Sequence, residues 1–211
     1  MKLCYVTDRK ALPGPAGEQT RLLLEKFDSA ARAGVDWIQI REKDLPAREL
    51  TLLVCEAMRR VPPSCRILVN DRLDVAIAVG AGGVHLGEQS ISVDQVKHFL
   101  AGRNLGSDFL IGVSAHSLAA VQAAQSSGAD YVIFGPVYQT PSKAAFGPPQ
   151  GLARLAEVCR SVAIPVIAIG GVTAENARQC LAAGASGVAA IRLFQDAPNL
   201  QAVVRDLRAS S

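Results

Sequence analysis

Val35-Asp36-Trp37-Ile38-Gln39-Ile40 is a mostly apolar run that gives way to the charged residues Arg41-Glu42-Lys43. A short apolar run bounded by polar residues predicts a buried strand. If the backbone stays extended past Ile40, the side chains of Gln39, Arg41 and Lys43 point the same way. That arrangement favours a phosphate or diphosphate ligand, because Arg offers a bidentate fork and Lys a mobile point charge. The alternative is a solvated strand end in which Glu42 neutralises its neighbours.

The same pattern of a short apolar strand followed by a helix recurs eight times along the chain. Strict alternation implies parallel pairing, and eight such units close a barrel. We therefore predict an α/β protein built as a single (β/α)8 TIM barrel over residues 1–211. A doubly wound open sheet is the alternative, but Thr7-Asp8-Arg9 stands where its glycine-rich turn is expected. The predicted strands are 3–6, 35–40, 66–69, 83–86, 109–113, 131–134, 165–169 and 187–191. The predicted helices are 18–33, 47–60, 73–79, 93–100, 118–127, 152–159, 174–183 and 200–207.

The composition of the 211 residues argues against a nucleic-acid-binding protein and against a membrane protein. A formal net charge of +3, without a basic block, argues against nucleic-acid binding. No apolar run reaches the roughly 18 residues that a membrane span needs, and we expect no signal peptide. Five scattered cysteines without a CxxC pair predict reduced thiols and a cytoplasmic protein. The sequence does not fix the oligomeric state, and a homodimer is left open.

Polar and glycine residues collect after the predicted strands, where barrel enzymes build their active sites. Asp71, beside Asn70, could hold Mg²⁺ with phosphate oxygens, or it could cap the following helix. Gly170-Gly171 before a helix could bind a phosphate through backbone N–H groups, or could be a tight turn. The groups are Gln39, Arg41 and Lys43; Asn70 and Asp71; Ser114 and His116; Thr140, Ser142 and Lys143; Gly170 and Gly171; and Arg192.

The histidines and cysteines give little support to other chemistries. Ser114 and His116 lack a visible acidic partner or a GxSxG turn, so acyl transfer is disfavoured. His116 is either a substrate ligand or a structural donor, and His85 is expected to pack inside the barrel. No group of residues has the spacing of a zinc site.

Six segments, in order, resemble the thiamine-phosphate synthase family over about residues 3 to 208. They match its Gln-x-Arg-x-Lys, Asn-Asp, Gly-x-His-x-Gly, Ser-x-His, Gly-Pro-x-Tyr/Phe-x-Thr-x-Thr-Lys and Gly-Gly motifs. The segments are Gln39–Lys43, Asn70-Asp71, Gly83–Gly87, Ser114–Ser117, Gly135–Lys143 and Ile169–Val172.

The resemblance implies coupling of hydroxymethylpyrimidine diphosphate with thiazole phosphate, with Mg²⁺ as cofactor and phosphorylated small molecules as partners. It assigns Gln39, Arg41, Lys43, Asn70, Ser114 and Lys143 to the pyrimidine diphosphate, and Thr140, Ser142 and Gly171 to the thiazole phosphate. The predicted catalytic residues are Arg41, Lys43, Ser114 and Lys143. The predicted substrate-binding residues are Gln39, Asn70, His116, Thr140, Ser142, Gly170, Gly171, Ile191 and Arg192. The predicted metal ligands are Asp71, Glu88 and Ser90.

Several positions depart from the family pattern. Ser90 stands where a second metal-binding Asp is usual, which leaves Glu88 as the nearby acid, and Gly82 also replaces an Asp. Ser142 replaces a Thr, and Arg192 replaces a Ser beside the expected phosphate. Two alternatives therefore stay open. One is the related thiazole tautomerase, which matches at His116 and needs no metal, and the other is a non-catalytic binding module for thiamine precursors.

Overall fold

Eight parallel strands form a closed barrel in the computed structural model, which describes residues 1–102, 108–140 and 148–209. Each strand pairs with its sequence neighbours, and β1 closes the ring by pairing with β8. The single (β/α)8 TIM barrel predicted from the sequence is confirmed. The strands are β1 Lys2–Val6, β2 Trp37–Ile40, β3 Arg66–Asn70, β4 Gly83–Leu86, β5 Leu110–Ala115, β6 Tyr131–Phe134, β7 Val166–Ile169 and β8 Gly187–Ala190.

Helices follow the strands and cover the outside of the barrel. Eight of those in the described ranges lie where the sequence pattern predicts them, whereas α8, directly after β8, was not predicted. They are α1 Ala16–Ala33, α2 Ala47–Arg60, α3 Leu73–Val79, α4 Val93–Leu100, α5 Leu118–Ser126, α6 Gly151–Ser161, α7 Ala177–Ala182, α8 Arg192–Gln195 and α9 Leu200–Arg208. A short 3-10 helix, Arg9–Ala11, follows β1. None of the described helices combines the length and apolar composition that a bilayer span requires.

The barrel interior is filled by side chains at alternate positions of the strands. Cys4, Val6, Trp37 and Leu68 belong to this inner cluster, together with the ring of Tyr131. Tyr131 lies opposite Gly112, where a Cβ atom would come within 2.0 Å of the tyrosine ring. A glycine at this position of β5 therefore lets a large aromatic ring cross the interior.

The outward strand faces pack against the helices in a second, larger cluster. Leu3, Ile38 and Val69 lie on this face, and Leu23, Phe27 and Val54 reach it from α1 and α2. The apolar core on both sides of the sheet fixes the strand register. As a result, the polar carboxyl ends of all eight strands meet at one mouth of the barrel.

Candidate active site

One cavity of about 600 Å³ opens at the carboxyl ends of the strands. Cationic, amide and hydroxyl side chains line its wall, and residues of the barrel interior form its floor. The lining includes Val6, Asp8, Ala11, Gln39, Arg41, Asn70, His85, Ser114, His116, Ile133, Gly135, Pro136, Gln139, Thr140, Ile169, Gly170, Gly171, Val172, Thr173, Ala190, Ile191, Arg192, Leu193 and Asp196. Most of the substrate-binding residues predicted from the sequence therefore share one space.

The end of β2 places the side chains of Gln39 and Arg41 in the cavity, as predicted, but the backbone does not stay extended as far as Lys43. Gln39 is buried and donates from Nε2 to Oδ1 of Asn70 at 3.3 Å, which places both amides side by side. Arg41 is half-buried and lines the cavity. The expectation that an extended backbone aligns Lys43 with them is wrong, because β2 ends at Ile40 and Lys43 lies in an exposed turn.

Glu42 is buried, being 5% exposed, and does not neutralise Arg41 and Lys43 as the alternative reading required. Its carboxylate accepts hydrogen bonds from Thr7 Oγ1 at 2.5 Å and from Arg9 Nη1 at 3.0 Å. Arg9 also pairs with Asp44, and this guanidinium holds the pKa of the Asp44 carboxyl well below its usual range. The buried acid thus joins β1 to β2 and leaves Arg41 available to the cavity.

Ser114 is oriented by His85, which lies on the neighbouring strand. His85 is buried, as predicted, and its Nε2 lies 2.9 Å from Ser114 Oγ while its Nδ1 lies 3.1 Å from the hydroxyl of Tyr131. Burial, and then the nearby Arg41 charge, lower the pKa of His85 to about 3, so the ring is neutral. Burial also raises the pKa of Tyr131 well above its usual value. This arrangement lacks the carboxylate of a hydrolase triad and instead fixes the direction of the Ser114 hydroxyl.

His116 lies on the cavity wall next to the loop after β4. Its Nδ1 donates to the carbonyl oxygen of Gly135, and its Nε2 lies 3.9 Å from a carboxylate oxygen of Glu88. The carbonyl contact requires a proton on Nδ1. His116 therefore makes a structural hydrogen bond and also lines the cavity, and its role as a substrate ligand stays a prediction.

Asp71, Ser90 and Glu88 lie on the loops after β3 and β4. The Ser90 hydroxyl donates to Asp71 Oδ1 and accepts from the Gly87 N–H at 2.7 Å. Asp71 is not the cap of α3, because Arg72 occupies that position and no side chain caps the helix. Asp71 is exposed and has a positive φ of 66°. The residue before it, Asn70, lines the cavity, whereas Asp71, Ser90 and Glu88 lie outside the lining.

These oxygen donors fit a Mg²⁺ ion that takes most of its ligands from phosphate and water. Mg²⁺ is usually held by one or two carboxylates plus substrate phosphates. In the described part of the chain, no three His, Cys, Asp or Glu side chains group tightly enough to hold a metal alone. Asp71 is the suitable protein ligand, with Ser90 as its neighbour, whereas Glu88 contacts His116.

The turn after β7 packs backbone to backbone against the loop after β6. Gly170 and Gly171 both have positive φ, and a Cβ on Gly171 would come within 2.6 Å of the Gln139 carbonyl oxygen. Asn176 closes the turn, because its Nδ2 donates to the Gly171 oxygen at 2.9 Å and its Oδ1 accepts from Thr173 N at 2.8 Å. The helix predicted over residues 174–183 begins three residues later than expected, at Ala177.

The end of β8 contributes Ile191 and Arg192, both on the cavity wall. Arg192 is exposed and begins α8. Gln195 in this helix, which was not predicted from the sequence, is 2% exposed and accepts from the Tyr5 hydroxyl at 2.9 Å. Its amide also contacts the backbone of Asp8, so α8 is tied to the end of β1.

Two predicted residues of the loop after β6, Ser142 and Lys143, lie outside the described residues. Thr140, which precedes them in the same loop, lines the cavity. The assignments of Ser142 and Lys143 stay predictions.

The thiamine monophosphate synthase family matches the chain over residues 3–194. The chain belongs to this family. A thiamine-phosphate synthase from Roseiflexus sp. is 41% identical over 209 residues, covering 97% of this chain and 82% of the relative. One from Methanoculleus marisnigri is 45% identical over 181 residues, covering 85% and 83%.

Solved structures agree with this assignment. The thiamine phosphate pyrophosphorylase from Pyrococcus furiosus is 31% identical, with a TM-score of 0.83 over 99% of this chain and 94% of that one. A 3-hexulose-6-phosphate synthase has a TM-score of 0.74 at 20% identity over 100% and 99%, which shows the fold alone. The function that family membership carries is thiamine-phosphate synthesis, a transferase reaction of thiamine biosynthesis.

Proposed function

We propose that the cavity couples hydroxymethylpyrimidine diphosphate with thiazole phosphate to give thiamine phosphate and diphosphate. The observation that supports this proposal is that two groups of residues suited to anions line one cavity. Arg41 and Asn70 lie at the ends of β2 and β3, while Gly170-Gly171 follows β7, across the ring of eight strands. The first region suits a diphosphate and the second a single phosphate.

The reaction follows from charge separation in this cavity. The bond between the pyrimidine methylene carbon and the diphosphate oxygen breaks, and its electron pair leaves with the diphosphate. The lone pair of the thiazole nitrogen then forms the new bond to the methylene carbon. Negative charge grows on the leaving group, so a fixed guanidinium stabilises the transition state more than the ground state. No proton needs to be removed, so no general base is required.

The remaining groups position the two substrates. Arg41 and Asn70 bind the diphosphate, and Ser114, directed by His85, donates a hydrogen bond to it. Gln39 contacts the pyrimidine ring, and Lys43 and Lys143 are proposed as further cations for the diphosphate. Gly170, Gly171 and Thr140 bind the thiazole phosphate, joined by Ser142, Ile191 and Arg192, and His116 lines the space between the regions.

Asp71 would hold a Mg²⁺ ion at the edge of this site, with Ser90 fixing the carboxylate. When bound, the ion supplies positive charge to the diphosphate oxygens, which assists their departure. Glu88 is a less suitable ligand, since it lies against His116.

The test is diphosphate release by the purified protein, with both precursors and with each alone, in Mg²⁺ and then in EDTA. Release that requires both precursors and Mg²⁺ is the expected result. Tight binding of both precursors without release would instead support a binding module. Absence of release together with isomerisation of a thiazole substrate, lost in His116→Ala, would support the tautomerase.

A further inference from the structure

We propose that Asp8 is a catalytic residue whose carboxylate accepts a hydrogen bond from the amino group of the pyrimidine substrate. Through this contact it stabilises the positive charge that develops as diphosphate leaves. The inference rests on the proposed function and adds a residue that faces the organic part of the substrate.

Asp8 has the position and the freedom that this role needs. It follows β1 with the same alternation as Cys4 and Val6, which face the barrel interior, and it lines the cavity. The residue is half-buried, and its side chain does not cap the 3-10 helix that follows it. Within residues 1–102, 108–140 and 148–209, the Asp8 carboxylate has no ion pair or hydrogen bond to another side chain.

The backbone of Asp8 is held in place by a buried side chain. Gln195 accepts from the Asp8 N–H at 3.3 Å and donates from Nε2 to the Asp8 carbonyl oxygen at 2.8 Å. The Tyr5 hydroxyl donates to the same Gln195 oxygen at 2.9 Å, and both side chains are almost fully buried. A backbone segment fixed on both its polar groups presents its side chain to the cavity in a defined direction.

Arg9, the charged residue next to Asp8 in the chain, already has carboxylate partners. Arg9 pairs with Glu42 at 3.0 Å and with Asp44 at 2.6 Å, and Glu42 also accepts from Thr7. Asp8 is therefore not needed to neutralise Arg9. A partially buried carboxylate that lines a cavity without a protein partner is suited to a ligand group that donates hydrogen bonds or carries positive charge.

The substrate offers such a group. The pyrimidine carries an exocyclic amino group on the ring carbon next to the one that bears the methylene. When the methylene carbon–oxygen bond breaks, the electron pair leaves with diphosphate, and the amino lone pair shares the positive charge on the carbon. The amino hydrogens thereby become stronger donors, so a hydrogen bond to Asp8 strengthens in the transition state. Arg41 would thus stabilise the negative charge on the leaving diphosphate, and Asp8 the positive charge on the pyrimidine.

The experiment is a cycle that combines one substitution with one change in the substrate. We measure kcat/KM for diphosphate release by the wild-type protein and by Asp8→Asn, each with the natural pyrimidine diphosphate and with an analogue in which hydrogen replaces the amino group. The analogue loses diphosphate more slowly on any enzyme. The informative quantity is therefore the factor by which kcat/KM falls from the natural substrate to the analogue (the analogue penalty), compared between the two proteins. Asp196→Asn removes the same charge from an exposed position on the cavity wall and serves as the matched comparison.

We expect Asp8→Asn to lower kcat/KM with the natural substrate by about ten- to hundredfold, the range of one charge-assisted hydrogen bond. With the analogue, the two proteins should be nearly equal, whereas Asp196→Asn should show the full wild-type penalty. An equal analogue penalty in the wild-type protein and Asp8→Asn overturns the proposal while leaving the synthase activity intact. Absence of diphosphate release by the wild-type protein overturns both. Asp8→Ala repeats the cycle if Asp8→Asn does not fold.

Discussion

Arg41 is the residue on which the diphosphate site most depends. It is half-buried on the cavity wall, and within the described ranges its guanidinium pairs with no carboxylate. We expect Arg41→Ala to lower kcat/KM by about a hundredfold or more, because a fixed cation acts where negative charge develops. Diphosphate release measures this effect.

The matched control for Arg41 is Arg154→Ala, which removes an exposed arginine of α6 that pairs with Glu157. It should keep wild-type kinetics. Wild-type rates in Arg41→Ala would remove this residue from the diphosphate site.

The lowered pKa of His85 makes the stability of the whole protein depend on pH. Its pKa is lowered to about 3 by burial, against an ordinary value of 6.5, so the unfolded chain binds the extra proton first as the pH falls. The contribution of neutral His85 is complete above the ordinary pKa and is lost as the pH falls towards the folded value. We expect the free energy of unfolding to decrease by about 2 kcal/mol between pH 7 and pH 5 through this residue.

Urea unfolding of the wild-type protein, His85→Gln and His98→Gln at several pH values tests this expectation. His85→Gln should lose the pH-dependent part, whereas His98→Gln, on an exposed position of α4, should keep it. An unchanged slope in His85→Gln would mean that the buried ring is not the group responsible.

The position of a candidate-site residue could be predicted from the sequence where it depends only on the parallel barrel. Gln39, Asn70 and Ser114 lie on the strands and point inward by alternation, so the fold alone brings them together. Glu42 and Lys43 follow the end of β2, where a turn sets the direction of each side chain, and alternation no longer applies. Asp8 lies two residues beyond β1, and alternation reaches it only because its backbone stays extended, with a φ of −151°.

At the scale of elements, the strands and most helices follow from hydrophobic periodicity. The elements that were not predicted correctly are short segments whose conformation depends on side-chain contacts outside the local sequence pattern. The turn of α8 depends on Gln195 contacting Tyr5 and Asp8, which are about 190 residues away in sequence. The delayed start of α7 depends on Asn176, which closes the preceding turn. Local patterns carry no information on such contacts.

Asn176 provides a test of the phosphate-binding turn as an element. Asn176→Ala removes hydrogen bonds to Gly171 and Thr173, each worth about 1 kcal/mol, so the turn loses its defined shape. We expect KM for thiazole phosphate to rise by about tenfold, with a smaller change for the pyrimidine diphosphate. Asn176→Asp should lie between the two, because it keeps the acceptor for Thr173 N.

The control for this element is Asn199→Ala, which removes the side chain that caps α9 by accepting from Ala202 N. It should lower the free energy of unfolding by about 1 kcal/mol without changing KM. Equal KM changes in both variants would indicate general destabilisation.

At the scale of the whole molecule, the barrel closes where the two ends of the described chain meet. β1 pairs with β8, and α9 packs against α1. Asp36 accepts from the backbone N–H of Leu3 at 2.7 Å and from Arg208 at 2.6 Å, so one carboxylate joins the amino-terminal strand to the last helix. This contact lies at the opposite end of the barrel from the cavity, since Lys2 and Asp36 precede the inward-facing core of β1 and β2.

Arg208 is therefore expected to affect stability and not catalysis. Its guanidinium donates to the carbonyl oxygens of Met1 at 2.6 Å and Gly34 at 3.0 Å, in addition to Asp36. Arg208→Ala should lower the free energy of unfolding by about 1–3 kcal/mol, because it leaves these acceptors without their charged donor. Arg205→Ala, on an exposed position of the same helix beside Asp206, should change stability by less than about 0.5 kcal/mol. Urea unfolding together with diphosphate release measures both properties. A loss of turnover at saturating substrate in folded Arg208→Ala would contradict the separation of the closing contact from the active site, because the two lie at opposite ends of the strands.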